Sequence, residues 1–524
     1  MAADTEKAAD LSQAMITEPV ALADWLIVAP VAIPLVFAAF LLTVRHRTWL
    51  HAGVALVAFA LTLAANAGLL ARVLAEGPLA MTMGRWLPPF GISFVADPLG
   101  VALSLVGVLV AAVCAVFAVA DIGTTGRRYG FYPFMLLMMA GVSGAFLTGD
   151  LFNLYVWFEV FLIASFGLLV LGCEHRQLDG ALKYAILNLV GTTLFLTATA
   201  LLYGTFGTLN MADVQSKAAE LRDTAPLATL ATLFLFAFAM KAAAFPLNFW
   251  LPASYHTPRI VVAALFGGIL TKIGVYALLR VLVMLFEPER ALLSDVIAWV
   301  AAATMVLGIM GALAQSDMRR VLGFVVISGV GIMLAGIALG TEAGLAGAIV
   351  YAVHSMLAMT ALYLLAGVMN GVGGSYSVET LKGLYRGHPL LTAFALLLVL
   401  AAAGLPPASG LWPKVMLVQA SLAAGAPWLA FAILATGILT TLALGRVFAL
   451  TFWRSDGGDT APAAPAEAAP VLRLGYASLA ALMLPILALG LYPEPFINVA
   501  EAAAAVLVDP TGYVGAVFPE RVQP

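Results

Sequence analysis

The sequence predicts an all-α polytopic membrane protein, and three observations carry that reading. The 524-residue chain is 63% hydrophobic and 10% charged, against about 25% charged residues in an ordinary soluble domain. Its apolar runs reach about twenty residues, the length that carries a helix across the hydrocarbon core. These runs are continuous, whereas a transmembrane β-barrel would alternate apolar and polar residues. The net charge of −3 argues against a nucleic-acid partner. The acidic N-terminal stretch lacks the basic start of a signal peptide.

Taken in order, the runs give about fourteen spanning helices. Residues 1–24 form an N-terminal tail, and 25–119 hold the first three spans, at 25–43, 50–74 and 98–119. Residues 131–286 hold five more, at 131–148, 151–172, 180–203, 227–251 and 260–285. Residues 292–453 hold another five, at 292–314, 321–340, 343–369, 390–422 and 427–452. A Pro/Ala-rich linker covers 454–470, and 471–524 hold the last span (472–492) and a C-terminal tail. Residues 208–225 read as an amphipathic surface helix.

Spans seven and twelve are expected to be broken. The seventh carries Pro246 and Pro252, and the twelfth is interrupted at LPPASG, residues 405–410. Proline removes a backbone donor and breaks a helix. In a membrane such breaks are tolerated where protein or a hydrated cavity satisfies the freed backbone groups. Two breaks at matching places point to two inverted five-helix repeats, 131–286 and 292–453, with an ion route between them.

Loop charge sets the orientation. One set of loops carries most of the Lys and Arg, including Arg45, Arg127, Arg128, Arg259, Arg319 and Arg320. The other set, with both termini, is richer in Asp and Glu. The positive-inside rule places the first set in the cytoplasm and both termini outside. Arg280 and Arg446, near helix ends, are expected to snorkel to the interface.

Glu159, Lys241, Lys272 and Lys414 sit deep in apolar stretches. A charge at the centre of a membrane helix costs at least ~2.5–3.5 kcal/mol on insertion scales, and such residues mark ion or proton routes. Burial disfavours the charged form of an amine, and a nearby carboxylate restores it. A Lys–Glu pair that opens and closes is therefore a two-position proton switch. Glu159 is expected to pair with Lys241. Lys272 lies in GGILTKIGVY, among small residues that allow close packing. Lys414 follows the second break. His354 is a relay candidate, since imidazole titrates near neutral pH. Secondary candidates are His256, in PASYHTPR, Lys183, near the start of span six, and Asp150, in LTGDLFN. Asp150 reads more simply as a helix N-cap. The two cysteines, Cys114 and Cys173, form no CxxC pair, so no cofactor, metal or redox centre is expected.

These motifs, in this order, resemble the antiporter-like subunits shared by respiratory complex I and the Mrp-type multisubunit cation/proton antiporters. FPLNFWLPASYHTP, LTKIGVYALLR and QSDMRRVLGF carry the likeness, over most of the chain. GDLFNLYVWFEVFLIASF is most similar to the D-subunit group of the Mrp assemblies. The resemblance implies a proton relay running Glu159, Lys241, Lys272, His354, Lys414. It implies hetero-oligomeric membrane partners, with Na⁺ or another monovalent cation exchanged for protons, in a bacterial inner membrane. The alternative it leaves open is a proton-pumping membrane subunit of a complex I-type or hydrogenase-type enzyme. Two positions depart from the family. Met359 stands where many relatives carry a lysine, and Gly329 where some carry a histidine.

Overall fold

The computed structural model describes residues 14–16, 19–454 and 469–521. Most of the expected linker and most of the N-terminal tail lie outside these residues. The chain is mostly helical. Among the described residues, eleven helices are long and apolar enough to cross a membrane, and three shorter apolar helices lie at 131–147, 227–242 and 389–403.

The chain opens with α1 (Trp25–Thr43), α2 (Thr48–Glu76) and α3 (Pro98–Asp121). Between α2 and α3 lies an antiparallel hairpin, β1 (Leu79–Thr82) and β2 (Ser93–Ala96), with Leu79 opposite Ala96. This pair was not expected from the sequence, because LAMT and SFVA are too short to stand out in so apolar a chain. After the short α4 (Thr124–Arg128) come α5 (Phe131–Leu147), α6 (Leu151–Leu169) and α7 (His175–Phe206). The amphipathic α8 (Met211–Leu221) precedes α9 (Leu227–Ala242), α10 (Trp250–Ser254) and α11 (Ile260–Leu278). A π-helical end, Leu279–Leu285, finishes α11.

Beyond α12 (Glu287–Leu292) come α13 (Ser294–Leu313), α14 (Met318–Leu339) and α15 (Glu342–Gly373). Then follow α16 (Leu384–Gly387), α17 (Pro389–Ala403), α18 (Leu411–Ala423) and α19 (Pro427–Phe448). The chain closes with α20 (Ala469–Leu491), α21 (Glu494–Val508) and α22 (Thr511–Val517). Side-chain caps fix several starts, since α3, α6, α14 and α15 begin at Asp97, Asp150, Asp317 and Thr341, each accepting a first-turn N–H.

Burial ranks the helices. The membrane-length windows of α11, α14 and α15 are 100%, 94% and 94% buried, whereas those of α1, α2 and α7 are 33%, 39% and 39% buried. The first three are interior, and the last three turn an apolar side outward, as helices facing lipid do. Glycines let the interior helices touch. A Cβ on Gly268 would lie 2.2 Å from Thr360 Oγ1, and one on Gly274 would lie 2.7 Å from the Ala242 nitrogen. So α11 is pressed between α15 and the end of α9.

The segments between α9 and α10 and between α17 and α18 are built alike. Ala243 and Gly404 both take the left-handed conformation, at φ 61 and 84. Ala244 N–H donates to the Ala239 carbonyl and Leu405 N–H to the Leu400 carbonyl. Leu247 N–H and Ala408 N–H then donate to the Ala244 and Leu405 carbonyls. Pro246 and Pro407, and Pro252 and Pro413, keep the same separation as these pairs. Lys241 lies before the first interruption and Lys414 after the second.

One expectation is overturned. Arg280 does not snorkel. It is 1% exposed and paired with Asp97, which is 0% exposed. Arg280 Nε also donates to the Tyr276 hydroxyl, 3.0 Å away, and that hydroxyl donates to the Phe146 carbonyl at 2.8 Å. The guanidinium lies over the rings of Tyr276 and Tyr513, 5.2 and 5.3 Å from their centroids. A carboxylate at the start of α3 holds the arginine in place, which sequence distance concealed.

Candidate functional site: a line of buried amines

Lys241 is the last-turn residue of α9 and is 4% exposed. Its Nζ donates to Thr192 Oγ1 at 2.6 Å and to the Asn188 carbonyl at 3.0 Å, both on α7. Gly191 faces the lysine stem, and a Cβ there would stand at contact distance, 3.4 Å, from Lys241 Cε. The ammonium also lies 5.7 Å from the centre of the Phe158 ring. The expected ion pair with Glu159 is not formed: none of the salt bridges among the described residues joins them. Glu159 keeps one buried carboxylate oxygen without a hydrogen-bond partner, although it still acts on Lys241 electrostatically. The physical reason is competition, since α7 offers Lys241 two neutral acceptors at short range.

Lys272 is 1% exposed and folds back along its own helix, donating to the Gly267 carbonyl at 2.8 Å. Gly267 and Gly268 bring α15 against this turn, as the small residues around Lys272 led us to expect. A Cβ on Gly267 would lie 2.6 Å from the Tyr363 ring.

His354, on α15, is buried and within electrostatic reach of both Lys272 and Lys414. Its Nδ1 lies 2.6 Å from Ser409 Oγ, in the segment between α17 and α18. The Tyr351 ring meets the imidazole edge-on at 5.5 Å. Gly329 faces Tyr351, whose hydroxyl would stand 3.1 Å from a Cβ there. A tyrosine thus fills the space beside the position where some relatives carry histidine. Met359 is buried on the same helix.

Lys414, in the first turn of α18, reaches back across the interruption. Its Nζ donates to the Ala403 carbonyl at 2.6 Å and the Ala402 carbonyl at 3.3 Å. These are among the last carbonyls of α17, where the helix dipole favours a cation. Glycine at 404 makes room, since a Cβ there would lie 2.5 Å from Lys414 Cδ. The three lysines therefore share one arrangement. Each ammonium rests on main-chain carbonyls or a hydroxyl, with no carboxylate partner among the described residues.

The secondary candidates sit apart from this line. Lys183 is on the surface of α7, in an i,i+4 ion pair with Asp179 at 2.6 Å, with the side chains 52% and 61% exposed. Asp150 caps α6, accepting from Asn153 N–H at 2.7 Å. Burial pushes its carboxyl up to about 6, against the pull of the Asn153 N–H. His256 lies between α10 and α11. Its Nδ1 is 2.9 Å from the Pro252 carbonyl and its Nε2 is 3.2 Å from Arg320 Nη2. A carbonyl only accepts and a guanidinium only donates. The ring is therefore neutral, with its proton on Nδ1. Burial, and then the Arg320 charge, hold His256 below its ordinary value.

Thr192, Asn188 and Ser409 are the contacts the sequence reading missed. Hydroxyls are ordinary in membrane helices, and only a fold shows which one meets a charge.

The chain is similar to several known proteins. The D subunit of the Na⁺/H⁺ antiporter of Alkalihalophilus pseudofirmus is 37% identical over 94% of this chain and 99% of its own. A chain of the Mrp complex from Dietzia superposes with a TM-score of 0.86 at 30% identity, over 95% of this chain and all of that one. A chain of the archaeal membrane-bound sulfane sulfur reductase also gives 0.86, at 25% identity, over 95% of this chain and all of that one. The stretch 148–440, which holds every one of these buried amines, matches the profile of the transmembrane family of NADH:quinone oxidoreductase and Mrp antiporter subunits, and to that family the chain belongs.

Proposed function

We propose that the chain is the proton-conducting subunit of a hetero-oligomeric antiporter that exchanges Na⁺, or another monovalent cation, for protons. The observation that carries this is the set of three buried lysines without carboxylate partners among the described residues. A purely structural charge in a membrane interior is neutralised by an opposite one, as Arg280 is by Asp97. Lys241, Lys272 and Lys414 are instead held by neutral acceptors, which tolerate both ammonium and amine.

In this reading Lys241 moves between two seats. Against Glu159 it holds its proton. Against Thr192 and the Asn188 carbonyl it is freed from the carboxylate and passes the proton toward Lys272. His354 carries it on to Lys414, which exchanges with one aqueous side. His256 sits at the mouth near α10 and takes up protons when Arg320 withdraws. The chain crosses an inner membrane about fourteen times, with both termini outside, as two inverted five-helix repeats. The matched hydrogen bonds around Ala243 and Gly404 support the repeats, and the clustering of Arg127, Arg259, Arg319 and Arg320 supports the orientation. The partners are the other membrane subunits of an Mrp-type assembly.

The test is exchange in inverted vesicles carrying the complete assembly, read with a ΔpH dye after NaCl addition. Wild type is expected to collapse ΔpH on Na⁺ addition, and Lys241→Ala to lose that response while assembling normally. Acidification driven by NADH, with no response to Na⁺, would move the chain to the redox-driven branch. The likeness to the sulfane sulfur reductase chain keeps that branch in view.

A further inference from the structure

Ser409 is fully buried, and its hydroxyl lies 2.6 Å from His354 Nδ1. Among the described residues it is the imidazole's one hydrogen-bond partner. The segment carrying it is fitted to the ring. A Cβ on the next residue, Gly410, would stand 3.1 Å from His354 Cε1 and 2.0 Å from the Ala401 carbonyl oxygen. Only glycine lets the chain approach so closely. One helical turn further on, Lys414 returns to the Ala402 and Ala403 carbonyls. The same few residues therefore hold the histidine and seat the last lysine.

A hydroxyl suits this place for a chemical reason. It accepts from Nδ1–H both in the neutral ring that carries its proton there and in the imidazolium, so Nε2 is the nitrogen with the free lone pair. The same acceptor serves both states, with no atom moving. The charged and titratable groups around the ring are Lys272 on α11, Lys414 on α18 and, on its own helix, Tyr351. None of them hydrogen-bonds His354.

We infer that Ser409 is a positioning residue for His354: it occupies Nδ1 in both protonation states and leaves Nε2 as the nitrogen that takes and gives the transported proton. This rests on the reading of His354 as a relay. No bond other than N–H is made or broken. A proton arrives at the Nε2 lone pair, the ring is the imidazolium while Ser409 goes on accepting from Nδ1–H, and the proton then leaves from Nε2.

The experiment uses the complete assembly in inverted vesicles, with Na⁺-dependent ΔpH collapse read per assembled complex across a pH series. The variants are Ser409→Ala, Ser409→Thr, His354→Gln and the double variant Ser409→Ala/His354→Gln. Expected for Ser409→Ala is about a tenfold slower exchange, a modest share of what a positioned proton carrier contributes, with a displaced pH profile. Ser409→Thr keeps the hydroxyl and restores both rate and profile. In the His354→Gln background, Ser409→Ala adds nothing. If the alanine variant does not assemble, Ser409→Cys replaces it, its thiol being a poor hydrogen-bonding group, with the same expectations. An unchanged rate and profile in assembled Ser409→Ala overturns the inference, and so does an equal further loss in the His354→Gln background. Failure of the underlying reading looks different: wild type would show no Na⁺ response, or His354→Gln would exchange as wild type does.

Discussion

Lys241 donates to the Thr192 hydroxyl at 2.6 Å, while Glu159 keeps a buried oxygen with no partner. The lysine thus stands away from its carboxylate, on a seat supplied by α7. The seat accepts one short hydrogen bond at the hydroxyl and one at a carbonyl that a side-chain change cannot remove.

Thr192→Val deletes the hydroxyl at nearly constant volume. It should weaken the α7 seat by about 1.5–3 kcal/mol, the range for a hydrogen bond to a charged group, and shift Lys241 toward Glu159. Exchange should slow with a displaced pH profile, while Thr192→Ser stays near wild type. A profile that is the same in all three proteins would count against the two-seat switch.

Asp97→Ala leaves Arg280 buried and uncompensated. Removing one partner of a buried ion pair costs about 3–5 kcal/mol. The expected outcome is loss of assembled complex, seen as a lower melting temperature of the purified complex. None of the pair's hydrogen bonds involves Lys241, Lys272, His354 or Lys414, so any complex that survives should exchange at the normal rate.

Gly410→Ala forces a methyl into the Ala401 carbonyl and the His354 ring. Overpacking of this kind costs about 1–3 kcal/mol. Gly53→Ala, where a Cβ would meet nothing within 4 Å, is the matched control and should be neutral. Thermal unfolding of the two variants in detergent separates them.

Arg320→Gln removes a positive charge from beside His256. The imidazolium then forms more readily, so the acid side of the exchange profile should move to higher pH. Stability follows the same sign. With its folded value held down, His256 lets the unfolded chain bind the proton first, so the fold weakens as pH falls below about 6.5. The variant should lose less stability over that range. Melting temperatures from pH 7 downward give the answer.

Lys183→Ala breaks only an exposed i,i+4 pair. Such pairs contribute about 0.3–0.5 kcal/mol. Exchange and stability should both be unchanged within error, and a loss of exchange would bring Lys183 back as a route residue.

Charge in an apolar run was the most legible signal. Lys241, Lys272, Lys414 and His354 stood out because each is costly where it lies, and the structure buries all of them. The apolar lengths likewise marked the helices to within a few residues. What the sequence concealed were partners. Asp97 reads as a loop residue before a proline, yet it neutralises Arg280 from far along the chain. Thr192 and Ser409 are unremarkable hydroxyls until the fold sets them against an amine and an imidazole. The Glu159–Lys241 pairing failed for the same reason, since neutral acceptors on α7 leave no mark in a hydropathy pattern. One signal was readable and overlooked: Pro246 and Pro252 have the same spacing as Pro407 and Pro413.

The likeness of the two interruptions bears on how such a chain can change over generations. Each break leaves carbonyls at the end of a helix whatever side chains surround it. Lys414, encoded after the second gap, takes its seat on the carbonyls that end α17, whereas Lys241, encoded before the first gap, turns to α7 instead. The turn at Ala243 and at Gly404 is common to both halves, and the place of the lysine beside it is not. The kinship of the two halves is therefore carried by backbone rather than by charge.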